Sequence, residues 1–308
     1  MSRMIKRPPG IRVRLPATSA NLGPGFDAVG LALSLALEVE AQIATEDSVE
    51  AQGRDPERCG ALEDNLVLDT YRSVLERAGR LASPLHIQVQ NEIPLGMGCG
   101  SSAAARLAGV VLASHFGQLG LSEAEIVAEA SDREGHPDNV AASWYGGFTV
   151  SVPSGKKIHT ASFSCDGTWQ LLLALPSASL ATEAARALLP DQLSRADAVY
   201  NLGRAALLTA AFAQERLDLL RVAMEDRMHQ PHRRSACTLL EFLDDLHGGA
   251  EFAGVSLSGA GPALLGVLSE RATLESAERR MRSVLGKTVE LLPVRIGGGA
   301  SVQTLPTG

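Results

Sequence analysis

The chain has 308 residues, of which 45% are hydrophobic and 20% charged, close to the average of globular proteins. This composition excludes a disordered, a collagen-like and a coiled-coil protein. The formal net charge of −7 argues against a general nucleic-acid binder, which needs a basic face to displace counterions. The length suits about two ordinary domains, or one large one, with a sizeable core.

The cysteines and the apolar stretches bear on the compartment. Four cysteines are widely spaced, with no CxxC pair and no Cys/His cluster at metal-ligand spacing: Cys59, Cys99, Cys165 and Cys237. Lone thiols are typical of a reducing cytosol. The N-terminal segment 1–9 is basic, but no apolar run follows it as it would in a signal peptide. The most apolar stretches of the chain are too short to span a bilayer. We expect a cytoplasmic protein with no membrane or nucleic-acid partner.

The N-terminal half is predicted to mix strands and helices. Alternating apolar and polar residues indicate strands at 11–15 and 85–90, and a further strand is predicted at 148–152. Apolar residues at helical spacing predict a helix within 65–80. Ser122-Glu-Ala-Glu is a capping box, which predicts that a helix begins there and runs toward Arg133.

A polar break with Gly and Pro at residues 153–157 is predicted to join two halves, so we expect an α+β chain with domains at 1–155 and 156–308. The C-terminal half is predicted to contain strands at 171–175, 255–258, 263–268 and 289–296, and helices at 182–189, 195–227 and 274–285. The two middle strands flank a glycine-rich turn. The last strand is expected to complete the fold.

The most informative motif is the segment Pro94-Leu-Gly-Met-Gly-Cys-Gly-Ser-Ser-Ala-Ala-Ala, which lies between a predicted strand and an Ala-rich helix over 102–115. Alternating glycines let a backbone approach a ligand closely. The helix behind them adds free N–H groups and a positive dipole end, which together favour a phosphate site. The alternative is an ordinary tight turn in which Ser101 or Ser102 caps the helix.

Two better-known phosphate loops fit this segment poorly. A Walker loop needs a lysine, and no lysine occurs between residues 7 and 155. A dinucleotide fingerprint read from Gly96 needs a third glycine where Ser101 stands, and one read from Gly98 fits only in its looser form, which ends in Ala103. The segment is therefore predicted to be a phosphate loop of another design.

Three other segments carry polar or glycine-rich patterns. Residues 16–30 form a polar turn in which Asn21 and Asp27 could bind a substrate, or Asp27 could be a solvated turn residue. Residues 256–265 could be a simple hairpin or could approach the phosphates. Residues 134–140 place Glu134, His136, Asp138 and Asn139 together, either as a Mg²⁺ and substrate cluster or as a helix end with an Asx-type turn.

Segments 16–30, 94–105 and 256–262 resemble, in the same order, the three motifs of the GHMP kinases. The sequences of residues 16–30, 134–141 and 228–233 are similar in particular to those of the homoserine kinases of that superfamily. The resemblance runs from about residue 10 to 300. It implies an ATP-binding N-terminal domain like ribosomal protein S5 domain 2, with a left-handed βαβ crossover, and a ferredoxin-like C-terminal domain that completes the substrate pocket.

The resemblance also implies an activity, phosphorylation of L-homoserine by ATP and Mg²⁺ in threonine biosynthesis, and a possible homodimer. It places Ser102 and Glu134 on the metal, with Glu129 as the alternative carboxylate, and Asn65 by the adenine. The loop that wraps the ATP phosphates would comprise Pro94, Leu95, Gly96, Met97, Gly98, Cys99, Gly100, Ser101, Ser102, Ala103 and Ala104. The homoserine pocket would comprise Asn21, Asp27, His136, Asn139, Thr182, Arg186 and Arg233.

The chemistry of homoserine suits these residue types. Asp27 can pair with its ammonium, and Arg186 and Arg233 can hold its carboxylate in fork geometry. Thr182 and Arg186, four apart on a predicted helix, share one face. Related kinases resemble each other in having a catalytic Asp near the position of Asn139. We therefore expect Asn139, Ser102 and Glu134 in the catalytic centre, and no dedicated side-chain base.

Cys99 departs from the Leu that is usual in the family. Because it precedes a predicted helix N-terminus, which can lower a thiol pKa, we expect that its alkylation would be blocked by ATP.

Overall fold

The structure is a computed structural model that describes residues 8–164 and 169–306, so most of the basic N-terminal segment and Cys165 lie outside the described residues. Eleven strands occur within these ranges: β1 Ile11–Asn21, β2 Gly25–Ile43, β3 Ser48–Gly53, β4 Leu85–Asn91, β5 Phe148–Ser154, β6 Lys157–Phe163, β7 Gln170–Leu175, β8 Phe252–Leu257, β9 Leu264–Leu268, β10 Glu290–Arg295 and β11 Ser301–Thr304. The α-helices of the same ranges are α1 Pro56–Cys59, α2 Leu66–Arg77, α3 Ser101–Phe116, α4 Glu123–Glu134, α5 Asp138–Tyr145, α6 Thr182–Arg186, α7 Arg195–Ala213, α8 Leu220–Ala223, α9 Gln230–Arg233, α10 Leu243–His247 and α11 Leu274–Leu285.

The larger sheet is built around β1 and β2. Its strand order is β11-β1-β2-β4-β3, with β5 paired to β2 and β6 paired to β5. Ile11, Val13 and Leu15 of β1 are all buried, as the alternation predicts. The pair β3 and β4 is parallel and the other pairs are antiparallel, so α1 and α2 form a crossover between parallel neighbours. The handedness of that crossover stays a prediction.

The smaller sheet has the order β10-β7-β9-β8, and all its pairs are antiparallel. When β7, β8, β9 and β10 are numbered 1 to 4 by their order in the chain, the strands lie side by side in the order 4-1-3-2. Helices α6 to α10 lie between the first and second strands, and α11 lies between the third and fourth. This βαββαβ arrangement is the ferredoxin-like one. The α+β prediction is confirmed.

Several boundaries differ from the predictions. The polar break at 153–157 is the tight turn of the β5–β6 hairpin, and β6 and β11 both belong to the larger sheet. The helix predicted over 195–227 ends at Ala213, and Glu215 has a φ of 54°, which α-helix does not allow. Helix α6 ends at Arg186 rather than at Leu189. The strand predicted last is followed by β11.

The two sheets share one apolar core. A single cluster of buried side chains extends from Val13 and Leu107 to Leu171 and Leu265. Phe148 of β5 stacks on Phe212 of α7, with ring centroids 4.1 Å apart. The loops that lead into the site are therefore mounted on one packed scaffold. In the described ranges, no helix is both long and apolar enough to cross a membrane.

Candidate active site

A cavity of about 690 Å³ lies where the loops of the two sheets meet, a volume suited to a nucleotide-sized or drug-sized ligand. Most predicted site residues line it: Asn21, Asp27, Asn65, Leu95, Gly96, Gly98, Cys99, Gly100, Ser101, Ser102, Glu134, His136, Asn139, Thr182, Arg186 and Arg233. Four predicted members of the phosphate loop are not among its lining residues: Pro94, Met97, Ala103 and Ala104. Ala103 and Ala104 are fully buried on the core side of α3.

The wall formed by residues 95–102 depends on glycine. Gly96, Gly98 and Gly100 all have φ between 69° and 76°, a region that other residues rarely adopt. Gly100 is the N-cap of α3, and no side chain of the described residues caps that helix end, so the alternative of a Ser-capped turn does not hold. The first N–H groups of α3 therefore point, uncapped, toward a cavity that Ser101 and Ser102 line.

The other two glycine-rich segments hold this loop in place. The amide of Thr18 donates to the carbonyl of Cys99 at 3.0 Å. The hydroxyl of Ser258 lies 2.8 Å from the carbonyl of Gly98 and 2.9 Å from the hydroxyl of Ser19. Segments that are some 80 and 240 residues apart in sequence thus meet, and the hairpin at 256–265 does approach the loop.

Ser102 and Glu134 form a pair at the same end of α3. The Ser102 hydroxyl donates to Glu134 Oε2 at 2.8 Å, and Arg106 Nε donates to the same oxygen at 2.7 Å. Glu129 instead pairs with Arg77 and Arg133, at 2.8 and 2.7 Å, outside the cavity lining. Of the two candidate carboxylates, only Glu134 contacts Ser102, and hydroxyl and carboxylate oxygens are ligands that Mg²⁺ accepts.

The opposite wall carries an ion pair between distant elements. Arg186 of α6 donates to both carboxylate oxygens of Asp27, at 3.0 and 2.5 Å. Asp27 has a φ of 56°, and its amide donates to Asn21 Oδ1 at 3.1 Å, which fixes the turn that carries it. Both side chains are about one-third exposed, at 36% for Arg186 and 33% for Asp27. The charges are thus accessible to a ligand.

Arg233 lies deeper in the same wall and is only 1% exposed. Its Nε donates to the carbonyl of Ala185 at 3.2 Å, and its Nη1 donates to the carbonyl of Gly259 at 3.3 Å. Burial lowers the pKa of this guanidinium from its ordinary value. The Phe26 ring lies near both arginines, with Cζ of Arg186 and Arg233 at 5.4 and 5.7 Å from its centroid.

His136, Asp138 and Asn139 form a buried polar group between the walls. His136 Nδ1 lies 2.6 Å from Asp138 Oδ1, and the Thr18 hydroxyl donates to Asn139 Oδ1 at 2.7 Å. Burial alone would lower the pKa of His136, but the hydrogen bond and charge of Asp138 outweigh it and raise the pKa. Ligand atoms of Asp27, His136 and Asp138 lie within 4.8 Å of one another, which makes this a cation-attracting corner.

Asn65 lines the cavity, but its side chain is fully engaged by the backbone. Its Oδ1 accepts from the amides of Val67 and Leu68, both at 3.2 Å, as the N-cap of α2. Its Nδ2 donates to the carbonyls of Cys59 and Ala61, at 3.2 and 2.8 Å. Asn65 therefore shapes the loop at 59–65 and leaves little hydrogen-bonding capacity for an adenine.

Cys99 does not behave as the sequence suggests. Its side chain is 1% exposed and packs into the core, and burial raises its pKa to about 12. The expected low-pKa thiol is wrong, because the helix N-terminus acts on the loop backbone while the thiol points away into apolar surroundings.

Three residues contribute to the site in ways that the sequence does not predict. Phe26 lies inside a quoted motif, but only the structure brings its ring beside two arginines from other elements. Asp138 is predicted only as a member of a polar cluster, and the structure shows that it holds Nδ1 of His136. Thr18, buried in β1, holds Asn139, and no local pattern signals that contact across 121 residues.

Comparison with known proteins gives a consistent picture. The family model for the GHMP kinases N terminal domain matches residues 65–147. A homoserine kinase from Synechocystis is 39% identical over 265 residues, which cover 84% of this chain and 86% of that protein. A homoserine kinase from Thermus thermophilus is 40% identical over 286 residues, which cover 91% and 95%.

A solved structure agrees over nearly the whole chain. The homoserine kinase from Cytophaga hutchinsonii superposes with a TM-score of 0.77 at 25% identity, covering 98% of this chain and 99% of that one. The fold is thus that of the GHMP kinases, as the resemblance implied. On this identity and coverage, the chain belongs to the homoserine kinase family of the GHMP kinases.

Proposed function

We propose that this chain transfers the terminal phosphoryl group of ATP to the side-chain hydroxyl of L-homoserine, giving O-phospho-L-homoserine and ADP for threonine biosynthesis. The observation that carries the proposal is the pairing of two walls in one cavity. One wall is an uncapped helix end behind a glycine loop, and the other offers Asp27 with two arginines. The first suits phosphate and the second suits an α-amino acid.

The amino-acid wall is matched to a zwitterion. The ammonium of homoserine takes the corner formed by Asp27, His136 and Asp138, and its carboxylate takes Arg186 and Arg233. Binding exchanges the internal Asp27–Arg186 pair for two pairs with the ligand, so no charge is left unpaired. A ligand such as mevalonate, which has a carboxylate but no ammonium, would leave Asp27 without a cation.

The oxygen donors at the end of α3 fit a magnesium ion. Ser102 and Glu134 would hold it, with Arg106 keeping Glu134 in place through the 2.7 Å bond. When bound, the ion neutralises charge on the transferring phosphates. Gly96, Gly98 and Gly100 and the N–H groups of α3 then orient those phosphates toward the amino-acid wall.

We infer that no side chain acts as a dedicated base. Asn139 is an amide held by Thr18 and by Asp138, so it can orient the substrate hydroxyl but not accept its proton. The hydroxyl then attacks directly, and its proton leaves to a phosphate oxygen or to water. Phosphoryl transfer depends mainly on alignment and charge neutralisation, which these residues supply.

The pH profile of turnover tests this mechanism. Without a base, kcat should stay flat between about pH 6.5 and 9. His136 is a rival candidate, because Asp138 holds its Nδ1 and raises its pKa. If His136 were the base, its protonation would remove activity as the pH falls through that raised value. A single ionisation near 7 that His136→Gln abolishes would overturn the proposal.

One assay tests the substrate. ADP release is measured with L-homoserine, mevalonate, galactose and shikimate, each with ATP and Mg²⁺. Turnover with L-homoserine alone supports the proposal, and turnover with another of the four assigns a different GHMP activity. No turnover with any would favour a non-catalytic ligand-binding relative, although the loop glycines and Ser102 are all present.

The assembly and the division of the chain are also proposals. We infer a homodimer, which light scattering on the purified chain would test. We propose that the chain consists of an ATP-binding N-terminal domain and a C-terminal domain that completes the substrate pocket. Pairing of β6 with β5 favours a boundary after Phe163 over one at 155.

A further inference from the structure

His229 is a buried histidine to which the mechanism above gives no role. It is fully buried at the start of α9, within the segment Met228-His-Gln-Pro-His-Arg233. Its Nε2 lies 2.7 Å from the carbonyl of Gly23, in the turn that carries Asp27. Its Nδ1 lies 3.0 Å from Nη1 of Arg233. One imidazole thus connects the turn that carries Asp27 to the side chain of Arg233.

The partners of His229 fix its protonation state. A carbonyl oxygen only accepts, so Nε2 must carry the proton toward Gly23. A guanidinium only donates, so Nδ1 must be unprotonated and must accept from Arg233. The histidine is therefore neutral, in the Nε2–H tautomer. Burial lowers its pKa and the nearby charge of Arg233 acts in the same direction, while Asp226 and Asp27 oppose them.

Asp226 places the histidine. This carboxylate is fully buried, and it accepts from the amides of Met228, His229 and Gln230 at 2.8, 3.0 and 2.7 Å. It also accepts from Asn201 Nδ2 at 2.9 Å. Its negative charge is thus held by backbone and amide donors, and its nearest distance to His229 Nε2 is 3.7 Å, too long for a hydrogen bond.

We propose that neutral His229 is the positioning residue that aims Arg233 at the substrate carboxylate. Arg233 donates Nε to Ala185, beside Arg186, and Nη1 to Gly259 and to His229, so these three contacts fix the orientation of its guanidinium. Without the Nδ1 acceptor, the buried guanidinium loses its shortest bond and turns. The inference rests on the proposed function, because the carboxylate is that of homoserine.

Three variants separate the two nitrogens of the ring. His229→Asn keeps an acceptor near the position of Nδ1, His229→Gln keeps a donor near the position of Nε2, and His229→Leu keeps neither. We expect His229→Asn to stay within about threefold of the wild-type KM for homoserine. Gln and Leu should raise that KM roughly tenfold or more, as loss of a hydrogen bond to a charged group does. KM for ATP should not change.

His232→Leu is the matched control, since this histidine lies on the same short helix but is exposed. It should leave both KM values unchanged. A merely structural role of His229 would lower kcat and raise both KM values together, in proportion to the loss of thermal stability. That result, or an Asn variant as impaired as the Leu variant, would overturn the proposal.

A second measurement does not depend on turnover. Nitrogen-15 NMR of histidine side chains should show His229 as the neutral Nε2–H tautomer from about pH 6 to 8, with a coupling of Nδ1 to an Arg233 N–H. A cationic ring or the Nδ1–H tautomer would contradict the inference. If the chain does not phosphorylate homoserine but the tautomer is as stated, the proposed function has failed and the Arg233 contact stands.

Discussion

The two walls of the cavity are built in different ways. The phosphate wall is one continuous stretch, residues 95–102, whose useful groups are backbone N–H and glycine conformations. The amino-acid wall takes one side chain from each of three places, Asp27, Arg186 and Arg233, the first two 159 residues apart. A site formed by one backbone segment can be predicted from the sequence of that segment. A site formed by side chains from distant segments depends on the tertiary structure that brings them together.

Changing the backbone of the phosphate wall should have the largest effect. A Cβ on Gly98 would lie 2.0 Å from the carbonyl of Ser258, and Gly98 has a φ of 76°. We expect Gly98→Ala to displace the loop and to lower kcat/KM for ATP by about 100-fold or more. Steady-state kinetics with a thermal melt would measure it.

Gly155→Ala is the control for that substitution. Gly155 has a similar φ of 60°, but a Cβ there meets no atom within 4 Å. Only backbone strain of about 1 kcal/mol should result, with kinetics unchanged. Equal kinetic losses in both variants would mean that the loop is not a specific phosphate wall.

Removing the proposed metal carboxylate should have an intermediate effect. Glu134→Gln should raise the Mg²⁺ concentration for half-maximal rate by roughly 10- to 100-fold, because a neutral amide binds the ion weakly. Titration of activity with Mg²⁺ would measure this. Glu129→Gln is the control, since Glu129 pairs with Arg77 and Arg133 and not with Ser102. A magnesium requirement that follows Glu129 instead would reverse the assignment.

Changing the fork of the amino-acid wall should affect one substrate only. Arg186→Lys keeps the charge but loses the paired donors, so KM for homoserine should rise about tenfold while KM for ATP stays constant. Arg279→Lys, in an exposed i,i+4 pair with Glu275, should change neither value. If Arg186→Lys raised both KM values alike, the two walls would not be independent.

The smallest effect is expected at Cys99. Because burial raises its pKa to about 12, the thiol is protonated at pH 8 and inaccessible. Iodoacetamide should therefore leave Cys99 unmodified with or without ATP, as measured by peptide mass spectrometry. Rapid labelling without ATP would restore the reactive thiol that the sequence suggested.

The sequence predicts the phosphate wall better than it predicts the amino-acid wall. Capping at Ser122 and apolar spacing over 274–285 place α4 and α11 closely, and the alternating glycines locate the phosphate wall. The residues of the amino-acid wall are predicted only through the family resemblance, because no local sequence pattern connects Asp27 with Arg186. No local sequence pattern predicts the hydrogen bonds of Thr18 and His229, because each joins residues more than 100 positions apart.

Tertiary context also explains the wrong predictions. The Pro and Gly of residues 153–157 mark a turn equally well between domains or within a hairpin, and in the structure this turn joins the paired strands β5 and β6. Cys99 sits at a helix N-terminus, but the direction of its side chain sets its pKa. Ser101 and Ser102 are good capping residues, but Gly100 takes the cap and Glu134 takes the Ser102 hydroxyl.

In the proposed function, Asp27 recognises the ammonium of the substrate while the arginines recognise its carboxylate. The direct measurement is kcat/KM of the wild type and of Asp27→Asn with L-homoserine and with 4-hydroxybutanoate, which lacks the ammonium. We predict that Asp27→Asn loses about tenfold or more with L-homoserine but little with 4-hydroxybutanoate, since only the first presents a cation to Asp27. Equal losses with both substrates would contradict the account.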